Sequence, residues 1–341
     1  MVHRHFFSLL LDTLLWSYTF LATHKIIYNK IIMSIRYPEF SWGQPLICLI
    51  LGLITSALIY FFLPGLSIGR AIYFKTYARL NRPFFKRPYI YVAFLIFFIT
   101  LISGLYVSQV SLREFFSHSG LMGAKRIFIA LFTPNFGILE ESLFAAIETI
   151  YMAFIATLFA IPIAFVLSFF AAKNLMMGSP LFKIIYTILR FILNLTRSIE
   201  PLIWAIIFSV WVGIGPFSGM LALCIHSIAS LSKLYSEQIE AIDQGTMEAI
   251  TSTGARPVQI VWFGVVPQII LPFVSFTIYR WDINVRMATI IGLVGGGGIG
   301  TLLMQYQGLA KWNEVGLLVL IIATIVWAMD TISTKIRQAI K

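Results

Sequence analysis

Six ionisable residues stand inside stretches that are otherwise apolar: Arg197, Glu200, His226, Arg280, Asp282 and Arg286. A charge in hydrocarbon is costly, so such residues face water, pair with one another or mark a route for ions. Asp282 and Arg286 are four apart, and Arg197 and Glu200 are three apart. On a helix either spacing lets a pair neutralise itself. Self-neutralising pairs that hold a bundle together are therefore the first expectation. The functional alternative is that Arg197, Arg280 or Arg286 attracts an oxyanion, because a planar guanidinium meets paired anionic oxygens bidentately. His226 reads as a helix-packing or pore-lining residue rather than a proton carrier.

Other chemistries lack their residues. His3, His5, His24, His118 and His226 form no HExxH pattern, and Cys48 and Cys224 lie singly in apolar runs. The expectation is no metal, no cofactor and no disulfide framework. A lipid hydrolase would need a nucleophile and base that converge, and no such set stands out. There is no G-x-x-x-x-G-K-[ST], so ATP is not expected to be hydrolysed by this chain. The run Gly295-Gly296-Gly297-Gly298-Ile299-Gly300 formally fits G-x-G-x-x-G, but neither a strand before it nor a βαβ pattern after it supports a dinucleotide site. These glycines, Gly297 among them, read as a helix break or a close backbone approach along a translocation pathway, with plain tight packing as the alternative.

The elements that must position these residues follow from composition. Hydrophobic residues make up 59% of the 341 and charged residues 11%, with a mean hydropathy of +0.88. Soluble domains carry about 25% charged residues. Apolar stretches occur at 45–64, 89–107, 149–170, 184–210 with a break inside, 220–234, 258–277, 287–303 and 315–329. About 20 apolar residues cross a bilayer as a helix, and lipid forbids unpaired backbone. The fold class is therefore an all-α polytopic bundle of about seven spans. Pro201 is expected to break the 184–210 span.

The net charge of +11 reads as membrane orientation rather than nucleic-acid binding. Arg70, Lys75, Arg79, Arg82, Lys86 and Arg87 crowd 66–88 without an acid, which places that loop inside, as do Lys335, Arg337 and Lys341 at the tail. Residues 110–148 carry Arg113, Lys125 and Arg126 against Glu114, Glu140, Glu141 and Glu148, and read as external. Residues 5–23 are apolar but contain Asp12, and fit an interfacial helix, an extra span or an upstream start with Met33 as the alternative; Lys25, Lys30 and Arg36 fit poorly outside. Two regions result: 1–139, with about two extra spans and an external segment, and 140–341, the core.

Between two apolar runs lies a polar stretch, 237–257, with Glu237, Glu240, Asp243 and Glu248. These acids place it in water. Gly254 permits a turn at positive φ, and Pro257 suits the first turn of a following helix. Ala249 is small enough for close approach to a partner groove. An ordinary loop between spans is the competing reading.

Glu248-Ala249-Ile250, Gly254 and Gly264-Val265-Val266-Pro267 together resemble the EAA loop of binding-protein-dependent ABC importers. Gly264 stands where isoleucine is usual, and Val266 where leucine is usual. Arg197–Ala205, Val212–Gly219, Leu221–His226, Lys233-Leu234-Tyr235 and Tyr279–Arg286, with the glycine run, resemble the permeases of phosphonate importers. The likeness covers about the last three-fifths of the chain; the first 90 residues match no family. It implies a type I ABC importer permease in the inner membrane, with 237–267 as the cytoplasmic coupling loop and Glu248, Ala249, Gly254 and Pro267 as ATPase-coupling positions. It implies a homodimer, a separate cytoplasmic ATPase and a periplasmic or surface-tethered phosphonate-binding protein, with no nucleic-acid partner. Phosphite or phosphate are the alternative substrates. A secondary transporter would show a duplicated broken-helix repeat, and a single EAA-like loop argues against it.

Overall fold

The computed structural model describes residues 2–26, 43–74, 87–108 and 110–340. The expectations placed on Lys30, Met33, Arg36, Lys75, Arg79, Arg82, Lys86 and Lys341 lie outside the described residues. The described chain is helical throughout. It divides into two compact units, Met1–Gly120 and Leu121–Lys341.

In the first unit, α1 (Val2–Ile26) lies against α2 (Gly43–Phe62), the short α3 (Ile68–Tyr73) and α4 (Pro88–Val107). The segments His3–His24, Gly43–Phe62 and Pro88–Tyr106 are each long and apolar enough to cross a membrane. Asp12, which argued against a span at 5–23, is buried. Its carboxylate accepts hydrogen bonds from the Ser67 hydroxyl and, at 2.8 Å, from the Gly69 N–H. A buried carboxylate held this way keeps a helix end satisfied without meeting lipid. Contact between α1 and α2 is close at Gly52, where a Cβ would fall 2.6 Å from the Ser17 backbone nitrogen.

Short helices α5 (Leu112–Phe115) and α6 (His118–Phe132) lead to the second unit. There α7 (Leu139–Ala171) is followed by one turn, α8 (Lys173–Met176), and by α9 (Pro180–Ser198) and α10 (Pro201–Val212). Next come α11 (Pro216–Glu240), α12 (Gln244–Ser252) and α13 (Pro257–Ile260). A π-helical turn, Val261–Val265, runs into α14 (Val266–Gly292), then α15 (Gly298–Gly308) and α16 (Trp312–Ile340). The core sits where α7 meets α11. Ala153, Ala156, Ala160 and Ala164 on α7 and Ala222 on α11 are fully buried, so the helices approach through small side chains, as helices without a hydrophobic driving force must.

Seven described helices are long and apolar enough to span, and the bent pair α9 and α10 makes up to eight. The pair meets at 91° around Pro201, where the preceding residue is forced extended. One expectation is corrected. Residues 258–277 and 287–303 are not two spans: helix runs unbroken over Pro257–Gly292, and α15 is only 11 residues. Arg280, Asp282 and Arg286 lower the apolarity of 278–286, yet their charges turn toward neighbouring helices, so the helix continues through them.

Candidate functional site: an exposed helix-turn-helix and a buried guanidinium

The polar stretch forms a helix, a turn and a second helix. Asp243 caps α12, its carboxylate accepting from the Gly245 N–H at 3.1 Å. Gly254 then adopts φ +80° with open space around its Cβ position. Only a residue without Cβ does this freely. Pro257 opens α13 as expected. Glu248, Ala249 and Gly254 are exposed, and Pro267 is exposed in the first turn of α14. The inner side is fastened down, with the Asp243 N–H donating to Gln268 Oε1 at 3.2 Å and Gln268 Nε2 donating to the Gly264 carbonyl at 2.8 Å. The departure at Gly264 has a physical reason. A Cβ there would meet Ile250 Cδ1 at 3.2 Å, with Met247 beside it, so the space an isoleucine would fill is already taken by α12.

The six charged positions do not converge on one point. Arg280 is buried, 7% exposed, and its Nε donates to Ser227 Oγ at 3.2 Å. Asn284 Nδ2 lies 2.8 Å from that oxygen and 2.8 Å from Thr157 Oγ1. Three helices, α7, α11 and α14, are thereby bolted together by neutral groups around one cation. Arg280 Nη2 is buried with no hydrogen-bond partner, and no ion pair to Arg280 occurs among the described residues. His226 is half-buried beside Ser227, and its Nδ1 donates to the Ile199 carbonyl at 3.2 Å, spanning to the α9–α10 break.

On the opposite face of α14, Asp282 and Arg286 pair as their spacing predicted, and Arg286 Nη2 is shared with Asp330 of α16 at 3.4 Å. Arg197 and Glu200 do not pair among the described residues. The expected three-residue spacing requires one helix, but α9 ends at Ser198, and Glu200 is the extended N-cap of α10. Both side chains are exposed. Gly297, at φ +81°, is buried, and a Cβ there would meet Pro216 at 2.7 Å. The N-terminus of α15 is filled by Glu148, which accepts from the Gly298 N–H at 3.1 Å, and by Thr149 Oγ1, which accepts from the Ile299 N–H at 2.8 Å. The glycine run is thus a tightly packed helix break.

Thr157, Ser227, Asn284 and Asp330 were not among the expected site residues. Asn284 carries a legible signal, since it stands one helical turn from Arg280 on the same face. The other three are ordinary small or surface polar residues in sequence.

Residues 136–340 match the family described as binding-protein-dependent transport system inner membrane component. The chain is 35% identical over 208 residues to the phosphite transport system permease protein PtxC of Stutzerimonas stutzeri, covering 61% of this chain and 74% of that one. It is 35% identical over 213 residues to the phosphate-import permease protein PhnE of Mycolicibacterium smegmatis, covering 62% of this chain and 39% of that one. Among solved structures, a chain of the inward-facing MetNI methionine ABC transporter superposes with a TM-score of 0.53 at 20% identity, covering 61% of this chain and 99% of that one. That likeness is one of fold, the type I ABC importer permease. This chain belongs to the family of binding-protein-dependent transport system inner membrane components, and is a multi-pass protein of the inner membrane.

Proposed function

We propose that this chain is the permease subunit of an ATP-driven importer for phosphonates or a closely related phosphorus oxyanion. The observation that carries the reading is the capped, exposed α12 with its glycine turn, a water-facing docking helix set into a bundle of membrane-length helices. The family is a component of binding-protein-dependent systems, so the partners are a substrate-binding protein and a separate ATPase, with two copies of this chain forming the pathway. ATP closure draws the docking helices together and switches the cavity between inward and outward access, a two-state rigid-body change biased by nucleotide. Glu248, Ala249, Gly254 and Pro267 are the docking positions. Arg280 is the pathway cation with an unsatisfied donor, while Arg197 and His226 flank the break beside it.

Phosphite and phosphate are the second reading of the substrate, supported by the names of the relatives at 35% identity. All three ligands share the tetrahedral oxyanion that a guanidinium recognises.

The test is co-purification with the ATPase subunit. Glu248→Lys and Gly254→Asp are expected to lose ATPase retention while inserting normally, and the isolated chain is expected to hydrolyse no ATP. Full retention and full transport in both variants would refute the docking assignment. Competition of methylphosphonate, phosphite and phosphate for uptake then orders the substrates.

A further inference from the structure

Helix α9 is attached to the rest of its unit unusually lightly. Lys183, Thr187, Arg190, Asn194 and Arg197 follow one another at intervals of four and three residues, which lines them along a single face. The other face is apolar and exposed, with Leu181, Ile184, Ile188, Phe191 and Leu195. Leu193 is its one buried residue, set against Ala171 and Ala229. So little buried apolar surface leaves polar contacts to fix its position.

Those contacts meet at Glu240, the last residue of α11. Glu240 Oε1 accepts from Arg190 Nη2 at 2.7 Å and from the Lys173 backbone N–H at 2.6 Å. Arg190 Nε donates to the Ala171 carbonyl at 3.0 Å, and Asn174 Nδ2 donates to the Ile239 carbonyl at 2.9 Å. Both partners of the ion pair are half-buried, with side chains 31% and 28% exposed, so the pair is better shielded than a surface bridge. One carboxylate thus ties together the start of α8, the middle of α9 and the end of α11, and Arg190 adds the end of α7 through the Ala171 carbonyl. Glu240 stands three residues before Asp243, the cap of the docking helix. At its far end α9 reaches the break, where the Ile199 carbonyl accepts from His226 and Trp204 Nε1 donates to the Thr196 carbonyl at 3.3 Å.

We propose that Glu240 is a positioning residue of the transport cycle, clamping Arg190 so that a displacement of the docking helix is handed to α9 and on to the α9–α10 break beside His226. The proposal rests on the reading of α12 as the ATPase-docking helix. A two-state element whose balance is set at one end and read at the other needs a stiff link between them. The Arg190–Glu240 pair is such a link on an otherwise loosely held helix.

The test uses the full complex with ATPase and binding protein in proteoliposomes, and reads methylphosphonate imported per ATP hydrolysed. Glu240→Ala and Arg190→Ala are expected to keep ATPase retention and hydrolysis but to lower that ratio about tenfold, a coupling loss of ordinary allosteric size. The double variant is expected to be no worse than either single one, because both remove the same contact. Arg190→Lys, which keeps the charge, is expected to restore most of the ratio. An unchanged ratio in both single variants overturns the proposal. So does an equal fall in assembly, hydrolysis and import, which would make the pair a plain structural staple. A second readout needs no substrate: spin labels on Thr187→Cys and Ser252→Cys are expected to hold their separation between nucleotide-free and vanadate-trapped states, and to lose it in Glu240→Ala. If wild type retains no ATPase, the proposed function fails instead. If labels behave as expected while methylphosphonate is not imported, the clamp stands and the substrate reading falls.

Discussion

The two faces of α14 carry the same residue type in opposite circumstances. Toward α16, Arg286 is 44% exposed and shared by two carboxylates, Asp282 and Asp330. Toward α11, Arg280 is buried with only neutral groups around it and an Nη2 that donates to nothing. Six residues separate them, so helix geometry alone puts them on different sides. The first arrangement is what stability requires, since a buried charge is tolerable when compensated. The second leaves a cation uncompensated, and an unsatisfied buried donor costs about 1–3 kcal/mol or more when charged. An arriving oxyanion would supply the missing acceptor. The contrast sets an arginine compensated at a helix–helix contact against a buried one that has no ion pair among the described residues.

The largest effects should fall on the two arginines and differ in kind. Arg286→Ala strands the buried Asp282, but the arginine is 44% exposed, so the loss is expected to stay below the about 3–5 kcal/mol of a fully buried pair. Assembled complex should become scarce while uptake per assembled complex stays close to wild type. Arg280→Ala should do the reverse. Assembly persists, and uptake per complex falls about tenfold to a hundredfold, the worth of one charge-assisted hydrogen bond. Uptake of labelled methylphosphonate, divided by complex recovered, reads both. Equal ratios in the two variants would erase the distinction between the faces.

A smaller effect should come from Asn284→Asp, which places a carboxylate on the Ser227 side of Arg280 and converts the cation's face into a copy of the other one. Uptake per complex is expected to fall about tenfold while thermal stability in detergent holds or rises, because the charge is now compensated. Asn284→Ala in the same assay should instead lose about 1–3 kcal/mol of stability by leaving Thr157 and Ser227 without their shared partner. Smallest of all should be Asp330→Asn. Its side chain is 61% exposed, Asp282 keeps Arg286 neutralised, and the change in stability is expected to stay within about 0.5 kcal/mol.

Much of this protein is written in short-range pattern. Apolar runs and the scarcity of charge dictate membrane helices, because lipid offers the backbone no partner. Pro201 and Pro257 break or begin helices through their missing N–H, and Gly254 turns the chain between α12 and α13 because it has no Cβ. Asp282 and Arg286 pair within one helix turn, so spacing sufficed. Contacts between helices needed the folded chain. Sequence spacing suggested that Arg197 and Glu200 pair, but the backbone between them is extended, and the pairing is lost. The charge-bearing 278–286 looked like a gap between spans, and only packing against α11 and α16 shows where those charges go. Arg190 meets Glu240 across 50 residues, and Asn284 meets Thr157 across 127. No local periodicity encodes such encounters, since they depend on which helix faces lie together once the small residues of α7 and α11 have closed the core.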